Sequence, residues 1–328
     1  NTPFKTKWLY LRRKIKLNSH PWIPRQLWVA VTYRCQAHCV HCCLGPVLNK
    51  PKDELTTKDI YKLIDNAKDI GIMEICYFGG EPLLRKDLPD IIRYASSKGL
   101  LTSINTNGIL LSKEMTRKLH DAGLNFCYVS LDSSLPDKHN KLRGYKDCFE
   151  NAVEGLKYMI DLGVKCSIWT YANKEDKDQS DLNGIIDLGK RLKVEQVLIL
   201  FPMASGNWIC GSENILTPEE RERVRRLHDP PFVVMEFPDE ETTCLAGNRM
   251  VYVTSDGDVS PCPTIPSFYG SIRKEPLHTI LQKLNLSFTR TDLKGCGECG
   301  MNKKPLRDKI GVDLVVPKEP TNNLIKRK

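Results

Sequence analysis

Leu27-Trp-Val-Ala-Val-Thr-Tyr33 runs straight into Arg34-Cys35-Gln-Ala-His-Cys39-Val-His41-Cys42-Cys43. The first half is a short apolar run rich in β-branched and aromatic residues, which reads as a buried strand. The second half is a loop with Cys-x3-Cys-x2-Cys spacing. Three thiolates this close on one loop can face a single metal cluster. Three also leave one iron of a [4Fe–4S] cube without a cysteine, open to another ligand. Cys43 adjoins the trio, but two adjacent side chains do not easily point at one cube, so it reads as a packed thiol.

Outward from this stretch, apolar runs alternate with amphipathic ones. Strands are expected at Leu27–Tyr33, Met73–Phe78, Leu101–Thr106, Phe126–Asp132, Val164–Tyr171 and Gln196–Phe201. Helices are expected near 57–69, 87–98, 112–121, 147–161 and 180–191. Thr56 or Thr57, Ser112 and Ser180 are the expected N-caps, and Gly71, Gly99, Gly123 and Gly163 follow helix ends. Six strands separated by five helical segments mean repeated right-handed βαβ units and a parallel α/β sheet. The count falls short of the eight strands of a closed barrel. The expected fold is a partial (β/α)6 TIM-type barrel, with ligands gathered at the C-terminal ends of its strands.

Those strand ends carry motifs. The second ends in Phe78-Gly79-Gly80-Glu81-Pro82-Leu83, the third in Asn105-Thr106-Asn107-Gly108, the fourth in Val129-Ser130-Leu131-Asp132, and Arg143 follows. Together with the cysteine loop, and in this order, they resemble the radical S-adenosylmethionine (AdoMet) superfamily over about residues 27–210. The resemblance implies a [4Fe–4S] cluster on Cys35, Cys39 and Cys42 whose open iron chelates AdoMet. One electron from the reduced cluster cleaves the sulfonium C–S bond, and the 5′-deoxyadenosyl radical abstracts a substrate hydrogen. It also implies AdoMet contacts from Gly79, Gly80, Glu81, Asn107, Ser130, Asp132 and Arg143, with Glu81 orienting the methionine ammonium. His41 stands where relatives usually place a large aromatic residue, and its adenine contact is expected to come from backbone. Zinc is the competing reading of the loop, but it lacks a clear fourth ligand there and explains none of the strand-end motifs.

A second constellation lies near the C-terminus: Cys244, then Cys262-Pro263, then Cys296-Gly-Glu-Cys299. It is similar to the Twitch domain, a shortened SPASM domain. The resemblance implies one auxiliary iron–sulfur cluster, [4Fe–4S] in type, on Cys244, Cys262, Cys296 and Cys299. A structural zinc held by four thiolates is the alternative. Met250–Thr254 and Val259–Pro261 read as a hairpin around Asp256-Gly257, with a helix at about 276–286. The expected organisation is a basic segment at 1–26, the barrel at 27–210, a connector at 211–243, the cluster domain at 244–316 and a basic tail at 317–328.

Composition agrees with an ordinary globular protein: 41% hydrophobic and 27% charged residues in 328. No run of eighteen apolar residues occurs, so a transmembrane helix is not expected. The first 52 residues hold ten Lys or Arg and no Asp or Glu, so the +9 net charge belongs to this end. Within it, residues 5–17 set Trp8, Leu11 and Ile15 at helical spacing. Such a segment lies on an anionic membrane or holds an acidic peptide, unless it is simply a solvated helix. Nucleic acid is not expected as a partner. A cytoplasmic setting, peripheral to the membrane if the segment binds there, fits thirteen cysteines read as metal and redox groups rather than disulfides. A flavodoxin or ferredoxin is the expected electron donor. Cys76, Cys127 and Cys166 lie inside strands as small core residues. Cys210 follows the sixth strand as a potential hydrogen donor to a substrate radical, against the plainer reading of an inert loop thiol. His139 and Tyr171 are further pocket residues. Three substrate classes fit: a ribosomal peptide that is oxidised, crosslinked or epimerised; a sugar, cyclitol or tetrapyrrole; or a lipid at a membrane surface.

Overall fold

The computed structural model describes residues 22–208, 212–239, 241–242, 244–287 and 298–309. The expected strands form, within a residue or two: β1 (Gln26–Thr32), β2 (Glu74–Gly79), β3 (Leu101–Thr106), β4 (Phe126–Ser130), β5 (Lys165–Tyr171) and β6 (Gln196–Leu200). They pair in parallel, neighbour to neighbour. The sheet is wider than six strands. β7 (Val233–Met235) joins parallel to β6. β8 (Met250–Val253) joins parallel to β1 and carries β9 (Val259–Ser260) antiparallel to itself, giving the order β7-β6-β5-β4-β3-β2-β1-β8-β9. The expected hairpin therefore forms, but it extends the barrel sheet at the β1 edge. Likewise the segment expected as a connector contributes β7 to the opposite edge.

Crossover helices cover the outer face: α1 (Thr57–Ile70), α2 (Leu88–Ser97), α3 (Lys113–Asp121), α4 (Pro136–Arg143), α5 (Cys148–Asp161) and α6 (Ser180–Leu192). In α1 the buried positions Ile60, Leu63, Ile64 and Ala67 follow the i, i+3, i+4, i+7 spacing of a one-sided apolar stripe. Thr56 and Asp59 close a capping box at its start, and Gly71 ends it in the left-handed conformation. Ser112 caps α3 through Met115 N–H. Ser180 does not cap α6, contrary to expectation. It is already helical, and the Asp176 carboxylate takes the role by accepting from the N–H groups of Asp181 and Leu182 at 3.1 Å each. α4 is an added helix in the β4–α5 connection. Beyond the barrel come α7 (Pro218–Arg225), opened by a Thr217–Glu220 capping box, α8 (Leu277–Ser287) and α9 (Lys304–Lys309).

Strand residues alternate between two interiors. Leu27, Val29, Val31, Ile75, Tyr77, Cys127, Val129, Cys166, Ile168, Val197 and Ile199 are buried in the main core that the helices cover. The opposite set, including Trp28, Phe78, Tyr128, Trp169 and Leu198, lines the concave face. There Trp28 on β1 lies 5.3 Å from Phe78 and 5.8 Å from Trp169 on β5, which stacks on Tyr128 at 4.8 Å. Strands four places apart in the sheet touch through their side chains only because the sheet curls. These rings are the floor of the partial barrel, and Cys76 is a buried strand residue, as expected, on this concave face.

One buried side chain locks the top of β1 to the helices beside it. Arg85 donates to the carbonyls of Val31 at 2.9 Å and Leu55 at 2.7 Å, and pairs with Asp87, whose carboxylate also accepts from the Thr57 hydroxyl. Arg85→Met leaves both carbonyls buried without a donor. It is expected to lower stability by about 2–4 kcal/mol in urea denaturation, more than Arg85→Lys, which keeps one donor.

Candidate active site

The cysteine loop rises from the C-terminal end of β1 and is pinned from three directions. Asn49 accepts from Cys35 N–H and donates back to Cys35 C=O, both at 2.9 Å. His38 and Val40 donate to the carbonyls of Arg143 and Leu142 at the end of α4. Asn207 donates to the carbonyls of Cys39 at 2.9 Å and Cys42 at 3.0 Å. From below, Ala37, Ile109 and Cys148 form a small apolar cluster against Cys35 and Cys39. The loop geometry thus rests on packing supplied by the whole barrel mouth.

Gly79 and Gly80 set the height of the loop. A Cβ at Gly79 would sit 2.2 Å from Thr32 O, and one at Gly80 2.2 Å from Arg34 O. Gly80 N–H donates to Thr32 O and Glu81 N–H to Arg34 O. The glycines are needed here because the β2 turn lies directly on the backbone leading into the cysteine loop; Gly79 also has φ +132°.

Cys35, Cys39, Cys42, Gly79, Gly80, Asn107, Ser130, Arg143, His41 and Tyr171 line one cavity of about 420 Å³. Glu81 and Asp132 stand behind its wall, and both carboxylates are committed to the scaffold. Glu81 is fully buried, accepting from Thr106 Oγ1 at 2.6 Å, Asn107 N at 2.9 Å and Leu83 N at 3.1 Å; burial still pushes it up to about 7. It ties β2 to β3. Asp132 takes a two-pronged contact from Arg143, Oδ1 at 2.9 Å and Oδ2 at 2.7 Å, with His41 Nε2 at 3.3 Å from Oδ2. Burial raises the Asp132 carboxyl, but the Arg143 charge and hydrogen bond, together with the neighbouring His41 and His139, hold the group below the usual carboxylate range. The remaining Arg143 donor, Nη1, lies 3.7 Å from Cys39 Sγ. His139 is buried behind Asp132, accepting from its N–H, and does not line the cavity.

His41 serves as an aromatic. Burial lowers it to about 4, so the ring is neutral, and it packs 4.9 Å from Tyr171 and 5.6 Å from Trp208.

The residues suit a cluster. Burial pushes Cys35 up to about 12 and raises Cys39 and Cys42 as well, so the empty loop strongly favours neutral thiols. Positive charge on bound iron reverses that preference. N–H donors already approach two of the three sulfurs, Asn107 Nδ2 at 3.9 Å from Cys35 and Arg143 Nη1 at Cys39, the outer-shell bonding that tunes such clusters. Among the described residues no three His, Cys, Asp or Glu side chains are gathered to hold a single ion.

Cys244, Cys262 and Cys299 line the same cavity. Asn302 couples Cys299 to the barrel: its N–H donates to Cys299 O, and its side chain bridges Ala204 N–H and Pro202 O after β6. Cys43 is half-buried near Cys262 and lines the same cavity. Cys296 and Cys210 lie outside the described residues, as does the basic segment 5–17. Sequence reading missed the carboxylate of Glu236, one residue past β7. It lines the cavity near Cys262 and Cys299, and burial alone pushes it up to about 7. The missed loop anchors Asn49, Asn207 and Asn302 carry weak signals at best; Asn49 has φ +55°, which a turn-forming Asn tolerates.

The radical SAM superfamily profile matches residues 29–181, and that of the SPASM iron–sulfur cluster-binding domain matches residues 244–300. The chain is 34% identical to the Fe-coproporphyrin III synthase of Methanosarcina barkeri over 210 residues, spanning 62% of this chain and about half, 52%, of that protein. It is 27% identical to the AdoMet-dependent heme synthase of Methanosarcina barkeri (85% of this chain, 89% of that one). It is 26% identical to the PqqA peptide cyclase of Rhizobium meliloti (80% and 74%). Its fold is similar to that of Streptococcus suis SuiB bound to precursor peptide SuiA, with a TM-score of 0.67 at 19% identity over 92% of this chain and 78% of that one. These matches show a radical SAM domain followed by a SPASM-type iron–sulfur cluster-binding domain, and domains of these two kinds imply AdoMet, a [4Fe–4S] cluster and an auxiliary iron–sulfur cluster as cofactors.

The Asp132–Arg143 pair makes a sharp test of this geometry. Arg143→Met strands a buried carboxylate and is expected to cost about 3–5 kcal/mol in chemical denaturation, whereas Arg143→Met with Asp132→Asn costs less than the single change. A double variant less stable than the single one would contradict the pairing.

Proposed function

We propose that the enzyme modifies a ribosomal peptide, by oxidation, crosslinking or epimerisation, in the cavity shared by the two thiol sets. Cys35, Cys39 and Cys42 would hold the catalytic cluster, and Cys244, Cys262, Cys296 and Cys299 the auxiliary one. Gly79, Gly80, Asn107, Ser130 and His41 would line the AdoMet site. When bound, the cluster and AdoMet together supply the carbon radical that removes a substrate hydrogen; the protein positions the target and excludes water.

The composition of the cavity wall carries the substrate reading. Trp28, Phe78, Trp169, Leu198, Leu200 and Met203 offer an apolar surface for an amino-acid side chain. Among the described lining residues the only Lys or Arg is Arg143, already spent on Asp132. A peptide side chain suits such a wall; a molecule with several carboxylates lacks partners there. The PqqA peptide cyclase and the peptide-bound SuiB support the same class. A tetrapyrrole is the second reading, favoured by the identity to the AdoMet-dependent heme synthase as well as to Fe-coproporphyrin III synthase. The basic segment at 5–17 would hold an acidic part of the peptide, and a flavodoxin or ferredoxin would supply the electron. Among the described residues no helix is long and apolar enough to cross a membrane.

The test is anaerobic incubation of reconstituted enzyme with AdoMet, dithionite and either a pool of short synthetic peptides or Fe-coproporphyrin III. Loss of hydrogen, or solvent deuterium uptake, in the peptide supports the proposal. Decarboxylation of the porphyrin with an unchanged peptide overturns it. Replacing Cys35, Cys39 and Cys42 together with Ala should remove about four irons per chain and end 5′-deoxyadenosine formation. Replacing the auxiliary cysteines should leave that cleavage measurable while stopping peptide turnover. Cys210→Ala should block product only if the reaction is an epimerisation, since an oxidation needs no hydrogen donor.

A further inference from the structure

Glu236 is the one carboxylate among the described residues that line the cavity. The β6–β7 register places Leu198 beside Val234, and Glu236 N–H donates to Ile199 O, so Glu236 continues the inward-facing row that holds Leu198 and Leu200. Its Oε2 is buried and accepts no hydrogen bond. The side chains that sense its charge are Tyr171, Cys262 and Cys299, none of them a cation. Nearby arginines point elsewhere: Arg225 Nε donates to Phe237 O, and Arg221 Nη1 to Leu216 O and Glu298. A carboxylate held out of water without a donor destabilises the fold. Of the buried carboxylates near the barrel mouth, Glu81, Asp176 and Asp181 accept hydrogen bonds from the scaffold, and Asp132 is paired with the Arg143 guanidinium. Glu236 differs in having neither a hydrogen-bond donor at Oε2 nor a paired cation among the described residues, while its side chain lines the cavity.

We propose that Glu236 anchors the substrate by receiving a protonated amine or guanidinium, from a lysine, an arginine or a free amino terminus, whose aliphatic stem lies along Leu200, Met203 and Met235. This deepens the peptide reading and rests on it: the modified peptide carries a basic group at or beside the target residue. The apolar wall accepts the methylenes of such a side chain while its charged head reaches the one carboxylate. A carboxylate-bearing substrate meets repulsion at the same point, so Glu236 also discriminates by charge.

The probes are Nα-acetyl-lysine methylamide and Nα-acetyl-norleucine methylamide, which differ by the ammonium group. Both are titrated anaerobically by calorimetry into enzyme holding both clusters and saturating AdoMet. The lysine probe is expected to bind at least about tenfold more tightly, as a charge-assisted hydrogen bond provides. Glu236→Gln should erase the preference, and Glu236→Asp should retain part of it. The chain's net charge of +9 opposes a cation at long range, so the preference has to be local. Iron content checks each variant's folding. Glu236→Gln should also raise the thermal midpoint or leave it unchanged, because no native hydrogen bond at Oε2 is lost; a structural glutamate would lower it. Equal binding of the two probes, no binding of either, or an undiminished preference in Glu236→Gln overturns the proposal. A lysine preference with no peptide turned over would instead sink the peptide reading and leave the cation site standing.

Discussion

Everything at this barrel mouth depends on the contact between the Gly79-Gly80 turn and the backbone of Thr32 and Arg34. Parallel strands fix where β1 and β2 end, but not where the chain goes next. The two hydrogen bonds from Gly80 and Glu81 to Thr32 and Arg34 set the cysteine loop at one height above the sheet. Any Cβ at either glycine would push the loop outward by the width of an atom. From that height the three thiols share a cavity, and Asn107 and Arg143 reach two of them. Glycine is required by chain against chain; its service to a ligand follows from the space this leaves.

The electrostatics obey a second economy. The site buries many polar groups but leaves few charges free. Glu81 is absorbed by Thr106, Asn107 and Leu83, Asp132 by Arg143, and His41 is neutral between Tyr171 and Trp208. In a low-dielectric pocket each satisfied group rigidifies its neighbours, whereas an unsatisfied one would weaken the fold. Two carboxylates that looked like ligand contacts in the strand-end motifs thus work one layer back. They hold the strand ends that present Gly80, Asn107 and Ser130.

Much of this was legible in the sequence. Six strands and five helices appear where periodicity and capping residues put them, because local pattern and packing agree in a parallel sheet. The cysteine loop and the strand-end motifs were readable for the same reason, since each sits directly after a strong strand signal. The rest was hidden where the determinant is tertiary. Ser180 looked like a cap until Asp176 folded back over the helix start. β7 is three residues long and forms only because β6 offers an open edge. Asn49, Asn207 and Asn302 are ordinary polar residues in loops, and only the assembled mouth shows what each holds. Glu236 was invisible because its strand was.

The two edge additions explain how two thiol sets come to share one space. A curled six-strand sheet leaves its first and last strands exposed, and an exposed edge invites pairing. β7 covers the β6 edge and brings Glu236 inward; β8 covers the β1 edge and leads through β9 to Cys262. Asn302 then fastens the Cys299 turn to the loop after β6, on the far side of the opening from β8. The C-terminal section is consequently bound to both ends of the sheet. Its thiols face the cavity because its strands and turns complete the wall of the barrel, so the auxiliary site cannot move away from the cysteine loop without breaking the pairing between β1 and β8. The two thiol sets are therefore held at one fixed separation, set by the curl of the sheet between them.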